Sequence, residues 1–342
     1  MRISVILYQA VKTDYNNENE RRIIMPIVDM PLEKLKVYQG RNPKPADFDE
    51  FWDKSLKELD AVDPNFKMEK ADIKSKIGDC YYISFTSIQG AKITGKMVKP
   101  KNIEGKVPAI IGFHGLGGCC WSFNALITYA SQGYAMFTMD SRGQGGGSED
   151  VGGPGTSQVT MFMRGFDGEP EQMYLRNLFL DTAQLARIVL GLDYVDENRV
   201  GVSGGSQGGG LSIACAALEP RIARCHSTYP YMSDYKRVWE MDLAKGAYDG
   251  LKNYFRNRDP RHEREDEIFE KLGYVDIQFL APRIKAKVMM ATGLMDTTCP
   301  PSTQFAMYNK LTCNKQVVIY PDFGLEGLKG QVEIEFIFMA DL

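Results

Sequence analysis

Gly204-Gly205-Ser206-Gln207-Gly208 is a G-x-S-x-G pentapeptide set between an apolar run at 198–204 (NRVGVSG) and a helical pattern over 206–218. Strand, sharp turn and helix together lift a serine hydroxyl above the end of a strand, where it serves as a nucleophile. Glycines flank it because side chains there would collide with the neighbouring strand and helix. A phosphate-binding turn is the rival reading, but neither G-x-G-x-x-G nor G-K-[ST] occurs here or in the Gly143–Gly147 and Gly152–Gly155 stretches. Outward from the pentapeptide, buried-type strand runs at 107–113 (VPAIIGF), 133–139, 222–228 and 286–293 alternate with helical patterns such as 176–192, and a last strand (QVVIY) precedes a last helix. Such alternation predicts an α/β chain with a parallel sheet covered on both faces.

Upstream, residues 79–99 alternate and predict a pair of strands turning at Gln89-Gly90, while Phe48, Phe51, Trp52, Leu56 and Leu59 recur at helical spacing. The charged, helical stretch at about 232–275 reads as an inserted cap within one domain spanning 25–342. Residues 1–24 stand apart as a disordered or mis-assigned extension. Arg2 and a short apolar core suggest a weak signal peptide, the polar 12–22 stretch suggests disorder, and Met25 is an alternative start.

The 342 residues carry 41 Lys plus Arg against 44 Asp plus Glu, a net charge of -3, which leaves no basic excess for nucleic acid or an anionic membrane. No apolar run approaches the roughly 20 residues of a membrane span. Seven cysteines without metal-ligand spacing fit a reducing cytoplasm, and no metal is expected. The adjacent Cys119 and Cys120 are read as small residues packed beside a glycine-rich loop, with redox activity as the alternative.

A serine nucleophile needs an oxyanion hole, an acid and a base. His114-Gly115-Leu116-Gly117-Gly118, past the strand ending at Phe113, has the H-G-x-G character of a loop that donates a backbone N–H, and Gln207 N–H would be the second donor. His114 itself reads as a loop brace. Asp296, at the end of a later strand, is the expected acid, a turn or N-cap aspartate being the alternative. The base should be a histidine near 321–328. The loop instead reads Pro321-Asp322-Phe323-Gly324-Leu325-Glu326, and the chain's three histidines are His114, His226 and His262. His226 falls in a strand and reads as a satisfied core residue. His262, in the cap, could act only by swinging in.

These residues resemble the acetyl xylan esterases and cephalosporin-C deacetylases of carbohydrate esterase family seven, which have the α/β-hydrolase fold. The resemblance runs from about residue 26 to the C-terminus. It rests on Asp29-Met-Pro-Leu-Glu33, Asp47-Phe-Asp-Glu-Phe-Trp52, Asp140-Ser-Arg-Gly-Gln-Gly-Gly146, Gly205-Ser-Gln-Gly-Gly-Gly-Leu-Ser212, YPYMSDYKR at 229–237, Asp259-Pro-Arg-His-Glu-Arg264 and Gly293-Leu-Met-Asp-Thr-Thr-Cys-Pro-Pro-Ser302. It implies a cofactor-free serine esterase that deacetylates small acetylated sugars and cephalosporins, assembled as a homohexameric ring. By position it makes Ser206 the nucleophile, Asp296 the acid, the Leu116 and Gln207 N–H groups the oxyanion hole, and Arg142-Gly143-Gln144 a structural brace. Two positions depart from the family, which has tyrosine at Leu116 and histidine at Leu325. Three readings follow. The chain is an acetyl esterase impaired by its vacant base position, a non-catalytic acetyl-sugar-binding protein, or an esterase that uses His262 or a water relay.

Overall fold

The computed structural model describes residues 28–152, 161–340 and 342. The readings of the first 24 residues and of Met25, and most of the Gly152–Gly155 stretch, lie outside them. Nine strands form one sheet: β1 (Lys67–Lys70), β2 (Gly78–Thr86), β3 (Lys92–Pro100), β4 (Val107–Phe113), β5 (Ala135–Met139), β6 (Val195–Gly205), β7 (Arg224–Thr228), β8 (Lys287–Gly293) and β9 (Lys315–Tyr320), in the order β1-β2-β3-β5-β4-β6-β7-β8-β9. β1, β2, β3 and β5 pair antiparallel, and every pair from β5 across to β9 is parallel.

Side chains alternate across a pleated strand, so an apolar run must bury both faces. In β4, Ala109, Ile111 and Phe113 join the larger core, while Ile110 joins the second core on the opposite face. The larger core contains Leu211, Ile213 and Ala214 of the helix Gln207–Leu218 and much of the helix Tyr174–Leu190. Phe123 and Leu126 of the helix Phe123–Ala130 close the other face, together with Phe338 and Met339 of the C-terminal helix Gln331–Met339. The helix Phe48–Asp60 buries Phe48, Phe51, Trp52 and Leu59 as its periodicity predicts. Its Trp52 stacks on Phe179, and the indole N–H donates to the Tyr274 carbonyl at 2.9 Å.

The hairpin at Gln89-Gly90, the strands and the long helices match the sequence expectations to within a few residues. Among the elements not foreseen, one strand and one helix show why. β1 (KMEK) is short, charged and wholly exposed, so it has no apolar pattern and is specified only by its pairing with β2. The helix Phe123–Ala130 is eight residues long, too short for its periodicity to stand out, although Ser122 caps it by accepting from the Ala125 N–H. Between β7 and β8 the chain is helical, with helices at Tyr235–Glu240, Asp249–Arg258, Glu265–Gly273 and Ile277–Leu280.

Candidate active site

Parallel strands present their carboxyl ends along one edge of the sheet, the usual place for a site in such folds. The loops that leave β4, β6, β8 and β9 at that edge carry His114–Gly118, Ser206, Asp296 and Leu325. Residues spread over more than two hundred positions are thereby brought to one place.

Ser206 has φ 56° and ψ -120°, a left-handed conformation for a residue with a side chain. Such a backbone costs on the order of 1–3 kcal/mol and persists only where its surroundings fix it. Here the Ser206 N–H donates to the Thr228 carbonyl at 3.0 Å, and its own carbonyl accepts from Gly210 and Tyr231 at 3.0 and 3.1 Å. The flanking glycines answer to close approach. A Cβ on Gly204 would fall 2.5 Å from the Gly208 backbone, and one on Gly208 would fall 2.2 Å from the Phe113 carbonyl oxygen.

The loop carrying Leu116 is braced from several sides. His114 donates from Nδ1 to the Gly115 carbonyl at 2.7 Å and accepts the Ser141 N–H on Nε2 at 2.9 Å. Burial lowers its pKa, so the ring is neutral with both nitrogens engaged, and it has no lone pair left to act as a base. Gln144 accepts the Gly117 N–H at 2.9 Å and donates to the Gln207 side chain at 2.8 Å and the Tyr174 hydroxyl at 3.0 Å. Beneath it, Arg142 and Asp181 form a fully buried two-pronged ion pair at 2.6 and 2.7 Å. The Arg142-Gly143-Gln144 element thus ties the Leu116 loop to the residue after Ser206. Leu116 is 41% exposed, with its side chain at the rim.

Asp296 is 0% exposed. Its Oδ1 accepts the Thr298 and Cys299 N–H groups, both at 2.8 Å, which fixes the carboxyl rotamer. Its Oδ2 is buried and has no hydrogen-bond partner among the described residues. Burial raises its pKa to about 6, against the lowering effect of the two N–H bonds. The loop after β9 lies directly against it: Met295 N–H donates to the Phe323 carbonyl at 2.9 Å, and a Cβ on Gly324 would be 3.9 Å from the Asp296 Cα. Leu325 follows on this loop, 39% exposed.

The other two histidines are occupied elsewhere. His226 is buried among Ser203, Thr228, Gln331 and Glu335, with Ser203 Oγ 3.0 Å from its Nδ1 and Gln331 Nε2 3.0 Å from its Nε2. His262 pairs with Glu265 at 3.2 Å and stacks on Phe255 with ring centroids 4.7 Å apart, beside Trp239. All of these partners belong to the helical segment between β7 and β8.

Sequence reasoning missed Cys299 and Tyr229. The Cys299 thiol lies beside Ser206, and burial, then Asp296, push its pKa well up against the lowering effect of the Ser206 side chain, so it is a neutral thiol. Tyr229 leans over the elbow, its ring 3.3 Å from where a Cβ on Gly205 would lie. A cysteine three residues after the aspartate was a visible signal for the first, while the second depends on the turn that follows β7. Among the described residues, no group of three or more His, Cys, Asp or Glu could hold a metal ion, and no helix is long and apolar enough to cross a membrane.

The acetyl xylan esterase (AXE1) family matches residues 25–341. The chain is similar to acetyl xylan esterase 1 from Thermoanaerobacterium sp. JW/SL YS485, at 50% identity and TM-score 0.90 over 92% of this chain and 99% of that one. It is also similar to an acetyl xylan esterase from Paenibacillus sp. R4, at 34% identity and TM-score 0.86 over 91% and 99% of the two chains. Acetyl esterase Axe7A of Xylanibacter ruminicola is 28% identical over 84% of this chain, which spans 64% of that relative's length. An acylaminoacyl peptidase of Pyrococcus horikoshii, 19% identical, shares the fold with TM-score 0.52 over 76% of this chain and 39% of that one.

Proposed function

This chain belongs to the acetyl xylan esterase family, and on that premise we propose that it is a serine carboxylic-ester hydrolase for acetyl groups on xylo-oligosaccharides and cephalosporin C, severely impaired by Leu325. Ser206 Oγ attacks the acetyl carbonyl, and the Leu116 and Gln207 N–H groups hold the tetrahedral oxyanion. The alcohol leaves, and water releases acetate from the acyl-serine. The observation that carries the reading is the lone Oδ2 of Asp296, a buried acceptor beside the elbow that lacks the N–H donor a triad would supply.

Without a base, a serine hydroxyl at neutral pH is a poor nucleophile. Loss of the triad histidine costs on the order of 10⁶ in turnover, leaving ~10³–10⁴ over water from the oxyanion hole and binding. The orphaned carboxylate equally favours a second reading, in which the chain binds acetylated sugars without hydrolysing them. The resemblance further suggests a homohexamer, and the cysteine usage a reducing cytoplasm.

The test is hydrolysis of a chromogenic acetate ester by the parent, Leu325→His and Ser206→Ala. We expect a nearly silent parent and a gain of ~10³ or more in Leu325→His. A parent that is already fast, and is silenced by Ser206→Ala, would refute the impairment. A silent Leu325→His that still binds acetyl-sugar would favour the binding reading.

A further inference from the structure

Ser206 carries a proton that must leave, Asp296 Oδ2 is a buried acceptor that must receive one, and the residue of the intervening loop, Leu325, can do neither. A molecule that joins them needs an N–H on one edge and a lone pair on another, within a ring small enough to stand where a side chain would. That chemistry is a 1,3-diazole. We propose that the space bounded by Ser206, Asp296 and the 321–327 loop is a binding site for a diffusible 1,3-diazole such as imidazole, and that with this ligand the protein becomes a conditional esterase. The inference rests on the esterase reading above.

Three observations support it. The orphaned oxygen is held rigidly, because Oδ1 is anchored by the Thr298 and Cys299 N–H groups. An unsatisfied buried acceptor is costly, and a donor ligand recovers that cost on binding. Leu325 is 39% exposed on a loop where residues 321, 322, 326 and 327 are exposed as well, so the site is open to solvent on that side. With a pKa of about 6, Asp296 is a carboxylate at pH 8 and able to accept the ligand's N–H.

The proton balance closes. As Ser206 Oγ bonds to the acyl carbon, its proton passes to the unprotonated ring nitrogen, and the resulting diazolium donates its other N–H to Asp296. The proton then goes to the alkoxide as the ester C–O bond breaks. Water next attacks the acetyl-serine and gives one proton to the diazole, which returns it to Ser206 Oγ as acetate departs.

The experiment measures hydrolysis of an acetate ester against imidazole, 4-methylimidazole and 1-methylimidazole at pH 8, for the parent, Leu325→Ala, Leu325→Ala with Asp296→Asn, and Leu325→His. The rate with Ser206→Ala is subtracted at every concentration. We expect a saturable rise of at least tenfold with imidazole and 4-methylimidazole, half-maximal at lower concentration in Leu325→Ala than in the parent. It should be lost with Asp296→Asn, and with 1-methylimidazole, which has no N–H to donate. A response that is linear, equal for 1-methylimidazole or indifferent to Asp296→Asn is bulk base catalysis and overturns the proposal. No response alongside an active Leu325→His overturns it while leaving the esterase reading standing. A silent Leu325→His overturns both.

Discussion

Asp296 is held by two backbone N–H groups on one carboxylate oxygen and by no described partner on the other, an arrangement that favours chemistry at the expense of stability. Its pKa is about 6 in the folded chain against an ordinary 3.8, so the neutral acid is the form the fold prefers. The stabilisation from that form is complete below 3.8 and is lost as pH rises through 6, which leaves a burden of about 1–3 kcal/mol at pH 8. Asp296→Asn should therefore unfold at a higher denaturant concentration than the parent at pH 8, with the gap shrinking as pH falls to 4. A gap independent of pH would show that the carboxylate is not the cause. The positions of Ser206 on a sharp strand-to-helix turn and of Asp296 past a strand end were both legible in the sequence, because a G-x-S-x-G turn and an aspartate at a strand end are local patterns. That His114 braces its loop and His226 is satisfied in the sheet was also expected, but their partners Ser141, Gln331 and Glu335 were not legible, since they come from other loops and from the C-terminal helix.

At the scale of elements, the C-terminal helix Gln331–Met339 is the piece that the sequence left most open. Its pattern carries little amphipathic signal, yet Gln331 and Glu335, four apart and so on one face, reach into the sheet at His226. Glu335 accepts the Ser203 and Tyr129 hydroxyls. Burial pushes its pKa up, but His226 and the hydrogen bonds from His226, Ser203 and Tyr129 outweigh this and leave it below the ordinary glutamate value. A depressed carboxylate gives stability that is present above its unfolded pKa and lost as pH falls through the folded one. Glu335→Ala is expected to cost roughly 2–4 kcal/mol at neutral pH, read by denaturant unfolding, with less difference from the parent in acid. This helix follows the Leu325 loop, so in a Leu325→His background the same change should also lower esterase activity.

For the whole molecule, the family resemblance suggests a ring of six 38.5 kDa chains. Light scattering after size exclusion should give six times the chain mass at micromolar concentration, and a monomeric mass would refute the ring. The sequence by itself determined the α/β class, the strands from β2 onward, the sharp turn at Ser206, and the placement of Asp296 and Leu325 on the loops after two later strands. These are properties of periodicity and of short motifs, which depend only on neighbouring residues. The tertiary structure alone decided that β1 pairs at the sheet edge, that Cys299 and Tyr229 flank Ser206, that Gln144 ties the Leu116 loop to Gln207, and that Asp296 Oδ2 has no partner among the described residues. Each of these is a contact between chain segments distant in sequence, and no local pattern fixes such contacts until the parallel strands bring their carboxyl ends to one edge.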